Sequence, residues 1–381
     1  MCIVFFEWTM DNRFIVCHNR DEILSRKTIR TSWWKNSHKR KKNDDDDDAD
    51  DADDADEDDN NSKNNNNTNT NNFEIFAPLD LISGGTWFGF EKTTGRCAFL
   101  TNIREKDDLI NNHNKNDDNV DAEDGNLDVN NSTAVQKLTS RGELVINYLK
   151  SDPTLSAIDY LKNEFCSLSS TSSDYNNSNN NSNNNNSNSN NKLYAGFNLI
   201  LFSGQDLAYY SNRLPKQLHH DNNNPISLSM GISYGLSNSV LNRPFVKVSK
   251  GLMTFQLFCR EKKDHNYKYN EDERLQQLIM LEGFKCLMQR KQQYYEKDED
   301  LPRTGYPIEF ERNCSSICVP VVNDYGTRTM IRFILEPPQE LDDDNKEGRR
   351  RRQQKIQLIE TDLDPTTLQW NETHHICHRI D

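Results

Sequence analysis

Cys2 is the residue whose place in the chain bears most directly on chemistry. A small second residue allows removal of the initiator methionine, which leaves a cysteine with its own free α-amine. An amine of pKa near ~8 can serve as base for a thiol near ~8.5, so nucleophile and base sit on one residue. The alternative reading is a small apolar cysteine buried at the start of a strand. A second concentration of reactive groups is Asn19-Arg20-Asp21-Glu22. A guanidinium lowers the pKa of a neighbouring thiol, and a carboxylate holds an ammonium or orients the arginine, which is what an N-terminal cysteine needs. A polar turn closed by an Arg-Asp pair explains the same four residues equally well.

Three further strings stand where strands are expected to end and loops present polar groups: Thr101-Asn102, Gly235-Leu236-Ser237-Asn238 and Gly326-Thr327-Arg328. Asn102 or Asn238 is a candidate amide donor to an oxyanion; the plain alternative is a turn asparagine. Gly84 to Gly89, GGTWFG, has neither Walker nor dinucleotide spacing and reads as a tight turn with close strand packing. Cys314, Cys318, His374, His375, Cys377 and His378 contain the atoms of a zinc site. Their spacing does not support one, because two cysteines four apart on a strand lie about 13 Å from each other. No metal site is expected.

These groups have to be positioned by strands. Residues 2–8 and 13–18 are runs rich in Ile, Val and Phe separated by Asp11-Asn12, a hairpin pattern. Strands are expected at 86–90, 96–101, 197–202, 207–210, 226–234, 314–322, 328–335 and 356–361. Ser140-Arg141-Gly142-Glu143 has the form of a capping box, and a second helix is expected near Pro153 with Ser151 or Asp152 as cap. Helices are expected again at 245–258 and 273–290, the latter with Leu275, Leu278, Ile279 and Cys286 on its apolar side. Strands, two helices, strands, two helices and final strands suggest sheets covered by helices on their outer faces.

The 381 residues carry a formal net charge of -14, but residues 44–59 are only Asp, Glu and Ala. Their 13 acidic side chains account for nearly all of it and leave the rest close to neutral. That run, and the Asn and Ser of residues 176–191, lack the large apolar side chains that offset ordering entropy and are expected to be disordered. The basic clusters Lys39 to Lys42 and Arg349 to Arg352 lie beside acidic runs, so no basic face for nucleic acid is expected. Nine cysteines without a Cys-x-x-Cys pair read as reduced thiols. The start, MCIVFFEWTM, has no basic region and meets Glu7 early, so neither a signal peptide nor an integral membrane segment is expected.

Taken in order, MCIVFF, Asn19-Arg20-Asp21-Glu22, GGTWFG, Thr101-Asn102, Ser140 to Val145, Gly196-Phe197-Asn198-Leu199, Tyr234 to Asn238 and Tyr325 to Thr329 resemble the NRDE family. The resemblance implies an α+β fold, a four-layer αββα sandwich like that of N-terminal-nucleophile hydrolases. It implies a single domain over residues 1–381, interrupted by insertions at about 36–72, 105–133, 170–192 and 340–354. Family members are associated with Golgi organisation and protein secretion, and with haem movement and lipid or acyl-CoA handling, partly at mitochondria. The partners so implied are a small hydrophobic or acyl ligand and secretory-pathway components, in a cytoplasmic protein associated with Golgi or mitochondria. No cofactor is required; a haem would be held non-covalently, since no Cys-x-x-Cys-His is present. By resemblance to the amidases of the wider hydrolase group, Cys2, Arg20, Asp21, Asn102, Asn238 and Arg328 are the candidate catalytic residues. Arg20 is an approximate match, because the early Arg and Asp of those amidases are not adjacent. The rival reading is therefore a Cys2-dependent amidohydrolase or acyl-transfer enzyme.

Overall fold

The computed structural model describes residues 2–34, 73–104, 138–166, 194–214, 225–241, 243–260, 270–340 and 352–380. The acidic run, the Asn/Ser run and Lys39 to Lys42 lie outside them, as do the insertions apart from their margins.

The chain opens with a hairpin of β1 (Cys2–Trp8) and β2 (Phe14–Ile23). Asn12 takes a positive φ of 63° in its turn, a conformation asparagine tolerates. The arginine Nε of Arg13 donates to Asp11 at 2.9 Å and ties the turn down. Next come β3 (Thr28–Trp34), β4 (Ile75–Asp80), β5 (Phe88–Glu91) and β6 (Cys97–Asn102). Two helices follow, α1 (Gly142–Leu149) and α2 (Ala157–Phe165), then β7 (Phe197–Phe202), β8 (Leu207–Ser211), β9 (Ile226–Leu228) and β10 (Ser233–Leu236). Helices α3 (Val246–Arg260), α4 (Asn270–Met288) and the short α5 (Ile308–Asn313) precede β11 (Tyr325–Leu335), β12 (Gln339–Glu340), β13 (Arg352–Leu363) and β14 (Trp370–Ile380).

The strands make two seven-stranded antiparallel sheets. One runs β10-β1-β2-β11-β13-β12 with β14 beside β13, and the other runs β3 to β9 in chain order. The period-two alternation of strand side chains sorts each apolar set to one face. Val4, Phe6, Phe14 and Val16 of the first sheet meet Phe88, Phe90, Phe99 and Phe202 of the second in one buried cluster. Phe14 and Phe202 stack at 4.1 Å between ring centroids. The neighbours in sequence, Ile3, Phe5, Ile15 and Cys17, face the other way and pack under α3 and α4 with Phe255, Phe284 and Leu287. On the second sheet Ala98, Leu199 and Leu201 pack under α1 and α2 with Val145, Tyr148 and Leu161. The architecture is α+β with antiparallel sheets, and no helix among the described residues is long and apolar enough to cross a membrane.

Several elements differ from the sequence reading. β2 does not stop before Asn19 but runs through Asn19, Arg20, Asp21 and Glu22, because it is paired along that length by β1 on one side and β11 on the other. Residues 226–234 are not one strand. A turn with Gly231 at φ 74° sends β9 to one sheet and β10 to the other. The capping box is not made: no side chain caps α1, and Ser140 offers only its backbone carbonyl to the Glu143 N–H. Its start is set instead by backbone packing, since a Cβ on Gly85 would stand 2.7 Å from the Gly142 Cα. α2 starts after Ser156, not at Pro153; Asp206 accepts the N–H groups of Ala157 and Ile158 at 2.9 and 3.0 Å, where the helix dipole favours a carboxylate.

Leu275, Leu278, Ile279 and Cys286 of α4 lie on its exposed side, and Met280, Leu281, Phe284, Leu287 and Met288 are buried in their place. Both stripes are apolar, and the sheet takes the one bearing the phenylalanine. Residues 314–322 form no strand; the buried segment after α5 is held by single hydrogen bonds, among them Val319 N–H to Thr327 Oγ1 at 2.7 Å. β13 begins at Arg352, inside the insertion expected at 340–354. β3 and β4 were not foreseen.

Candidate functional site at the Cys2 end of the first sheet

The alternation of β2 decides where each polar side chain goes. Asn19 and Asp21 share the face of Ile15 and Cys17 under the helices, whereas His18 and Arg20 share the face of Phe14 and Val16 between the sheets. Asn19 Nδ2 donates to the carbonyls of Met288 and Ile317 at 2.8 and 3.0 Å, so it binds two buried loops to the strand. Cys2 stands directly opposite Arg20 in the β1–β2 ladder.

Cys2 is almost wholly buried, at 5% exposure. Its backbone nitrogen donates to Asn238 Oδ1 at 3.2 Å, and its carbonyl accepts from Ser237 Oγ at 2.7 Å. Asn238 Nδ2 donates to the Asn102 carbonyl at 2.6 Å, which fixes the amide with its oxygen toward Cys2. The ends of β6 and β10 thus converge on the start of β1. Burial raises the pKa of the Cys2 thiol and the Asp21 carboxylate adds to that rise, while the Arg20 charge and the Asp21 N–H oppose it. Those two neighbours are where an incipient thiolate would find stabilisation.

Asp21 accepts from Thr327 Oγ1 at 2.6 Å. Burial raises its pKa, opposed by Lys247 and Arg104 among others. Lys247, buried at the start of α3, donates through Nζ to the Ser316 carbonyl at 3.1 Å; burial lowers its pKa and Asp21 raises it. Arg104 pairs with buried Glu311 and stacks on Phe245 at 5.2 Å, while its backbone N–H reaches the Asn238 carbonyl at 2.8 Å. A small charged network therefore lies on the helix side of Cys2.

Between the sheets Arg20 Nη2 bonds Asp80 at 2.8 Å, and its guanidinium lies 4.2 Å over the Trp87 ring. Arg26 Nε shares the same Asp80 oxygen at 2.7 Å. Arg328 sits at a register shift in β11 between Thr327 and Thr329, an irregularity that re-aims a side chain, and its guanidinium bonds the Arg26 carbonyl. Burial and the Arg20 charge lower its pKa. Glu22 and His18 complete this face; burial, with Arg20 nearby, drives the His18 pKa down to about 3.

All six candidate residues thus gather at one end of the first sheet, Asn102 reaching it from the end of β6 in the second, and they fall in two groups. Cys2, Asn238 and the Asn102 carbonyl are joined by successive hydrogen bonds, with the Asp21 N–H at the Cys2 thiol, whereas Arg20 and Arg328 belong to the Asp80 and Arg26 group. Sequence reasoning missed His18, Asp80, Arg104, Lys247 and Glu311, which come from apolar or undistinguished stretches. Trp87 and Thr327 were visible inside strings already singled out. Cys314 and Cys318 are buried, and among the described residues no group of three or more His, Cys, Asp or Glu is placed to hold a metal ion.

A family model described as Transport and Golgi organisation 2 matches residues 1–41 and 56–341, a span that holds every residue of this site. A Bos taurus protein named Transport and Golgi organization protein 2 homolog is 25% identical over 350 residues, 88% of this chain and 89% of that protein. The Homo sapiens homologue of that name is 26% identical over 269 residues, 67% of this chain. A Mus musculus homologue is 26% identical over 272 residues. The chain covers 63% of the length of these last two.

Proposed function

We propose a role in Golgi organisation and protein secretion for this chain, which belongs to the Transport and Golgi organisation 2 family. The names of the relatives carry the reading, above all the Bos taurus homologue, which aligns with nearly the whole chain. The protein acts in the cytoplasm, at Golgi or mitochondrial surfaces, by holding a ligand with an apolar body, of the haem or acyl type, without covalent attachment. The helix, sheet, sheet, helix order of the three apolar clusters supports a four-layer αββα arrangement of the kind found in N-terminal-nucleophile hydrolases. In this reading the nucleophile fold serves binding: Cys2 is enclosed, and burial keeps its thiol protonated.

The rival reading, an amidohydrolase or acyl-transfer enzyme, has one specific observation behind it, the nitrogen of Cys2 held by Asn238. With Met1 removed, that nitrogen is the α-amine; it takes the thiol proton while the sulfur attacks a carbonyl carbon, then returns the proton to the leaving group. Asp21 and Arg20 fix the charges, and of the two asparagines the Asn102 side chain is the one left to take the oxyanion, because Asn238 turns its oxygen to Cys2 and its Nδ2 to the Asn102 carbonyl.

Complementation of cells lacking the protein tests both. If the binding reading holds, loss of the protein disperses the Golgi and slows secretion, and Cys2→Ala restores both as wild type does. Normal secretion and Golgi morphology in the deletion would sink it. A Cys2→Ala variant that fails to complement, together with a Met-free N-terminus by intact mass and selective haloacetamide labelling of Cys2, would establish the enzyme instead.

A further inference from the structure

Among the described residues, most open edges of the two sheets are short or irregular. β9 has three residues, β10 four and β12 two, and β3 carries a register shift between Ile29 and Ser32. These are the ordinary ways in which an exposed row of N–H and C=O groups is kept from pairing with another chain. β14 uses none of them. It runs eleven residues, Trp370–Ile380, without proline, lysine or glycine, and its ladder with β13 is unbroken from Leu363↔Trp370 to Gln353↔Ile380. β13 is its only strand neighbour among the described residues.

The strand is also held rigid from both faces. On one, His375 meets the Phe76 ring at 5.0 Å and Arg379 donates to the Thr94 carbonyl at 3.0 Å. On the other, Glu372 accepts from Arg332 at 2.5 Å and pairs with Lys285 at 3.1 Å. Beyond Glu372 that second face opens to solvent, and Ile376 and Ile380 are 57% and 62% exposed. An ordered, regular, partly apolar edge costs little further entropy when it pairs.

We propose that β14 pairs edge to edge with β14 of a second copy of this chain, antiparallel about a two-fold axis at His375, so that two seven-stranded sheets become one. A two-fold axis normal to the sheet keeps each face on its own side, so residues of equal parity must oppose each other. Centred on His375, the register uses the whole strand. Trp370 meets the partner's Ile380, Asn371 its Arg379, Glu372 its His378, Thr373 its Cys377 and His374 its Ile376. His375 meets its own copy on the axis, no Arg, Asp or Glu opposes a like charge, and the apolar ends cover each other twice. Centring on Ile376 instead puts Ile380 against Glu372 and takes Trp370 out of the ladder, and centring on His374 leaves Arg379 and Ile380 unopposed. Opposed pairs are the units that stabilise a ladder, so the His375 register is selected. The interface is one strand pair about 36 Å long, at ~3.3 Å per residue, and a contact of that size makes a reversible dimer.

Sedimentation velocity of the full-length protein, over about 1 to 100 μM, tests the proposal. The expected result is a concentration-dependent monomer–dimer equilibrium. Ile380→Lys, which sets an ammonium against Trp370, and His378→Glu, which sets a carboxylate against Glu372, should each weaken it at least about tenfold. Both positions are exposed, so thermal melts of the two variants should match wild type and separate lost pairing from lost fold. A Met253→Lys, Leu257→Lys double variant on the exposed side of α3 should leave the dimer unchanged. A monomer at every concentration overturns the proposal. So does a dimer that survives both strand variants, or one that only the α3 variant dissolves.

Discussion

Glu360 provides the sharpest test of the electrostatics. It lies on β13, buried between the sheets, and accepts the Thr31 N–H at 2.8 Å. That N–H is free for it because Thr31 falls within the β3 register shift. Burial, with Asp362 beside it, raises the Glu360 pKa from 4.5 to about 7. The folded state therefore holds a proton that the unfolded state releases above its ordinary pKa. The stability so gained is complete below about 4.5 and is lost as pH rises toward 7. Between about pH 5 and pH 8 the loss from this group is on the order of 2 kcal/mol. Glu360→Gln keeps an acceptor for Thr31 and cannot titrate. Urea unfolding of wild type and variant at both pH values isolates the effect, because every other titrating group cancels in the difference. The variant should gain on wild type by on the order of 2 kcal/mol as pH rises through that window. A gap that stays constant, or moves the other way, refutes the assignment of a buried, protonated Glu360.

His18 is expected to act with the opposite sign. Its folded pKa is depressed from 6.5 to about 3, so its contribution is complete above 6.5 and lost as pH falls toward 3. At about pH 5 this amounts to on the order of 2 kcal/mol, and His18→Leu should flatten that part of the acid limb in urea titrations. Arg96, buried beside α1, donates to the carbonyls of Tyr148, Ser151, Asp152 and Leu155 and lies 4.8 Å over the Tyr148 ring. Arg96→Met should cost about 3 kcal/mol or more in the same assay, since it strands several buried acceptors. Arg96→Lys should recover less than half, because an ammonium cannot reproduce the planar fork.

What the sequence disclosed follows from how local each signal is. The β1–β2 hairpin and the β7–β8 pair were legible because apolar runs met turn residues of definite chemistry, Asp11-Asn12 and Ser203 to Asp206. The continuation of β2 through Asn19 to Glu22 was not, since four polar residues look like a turn until neighbouring strands supply partners on both sides. α4 offered two apolar stripes, and only the sheet beneath it selects one. In the site, Cys2, Asp21, Asn102 and Asn238 could be proposed from strings. Their supports could not: Lys247 is one of two lysines in the first turns of α3 and nothing local marks it as the buried one, and Arg104 and Glu311 are 207 residues apart in the chain.

The two-sidedness of β2 has a consequence for how this protein can change over generations. Asn19-Arg20-Asp21-Glu22 is contiguous in sequence yet divided between two environments, so it should not vary as a unit. Arg20 is tied to Asp80 and Trp87, and substitutions at those three positions should travel together among relatives. Asp21 should instead co-vary with Thr327 and Lys247. Deletion of one residue from the turn between Thr9 and Arg13, with the pairing of β2 to β11 kept, would shift β2 against β1 by one place and remove Arg20 from its position opposite Cys2. The length of that turn is therefore under the same constraint as the four residues themselves, although none of its atoms touches Cys2.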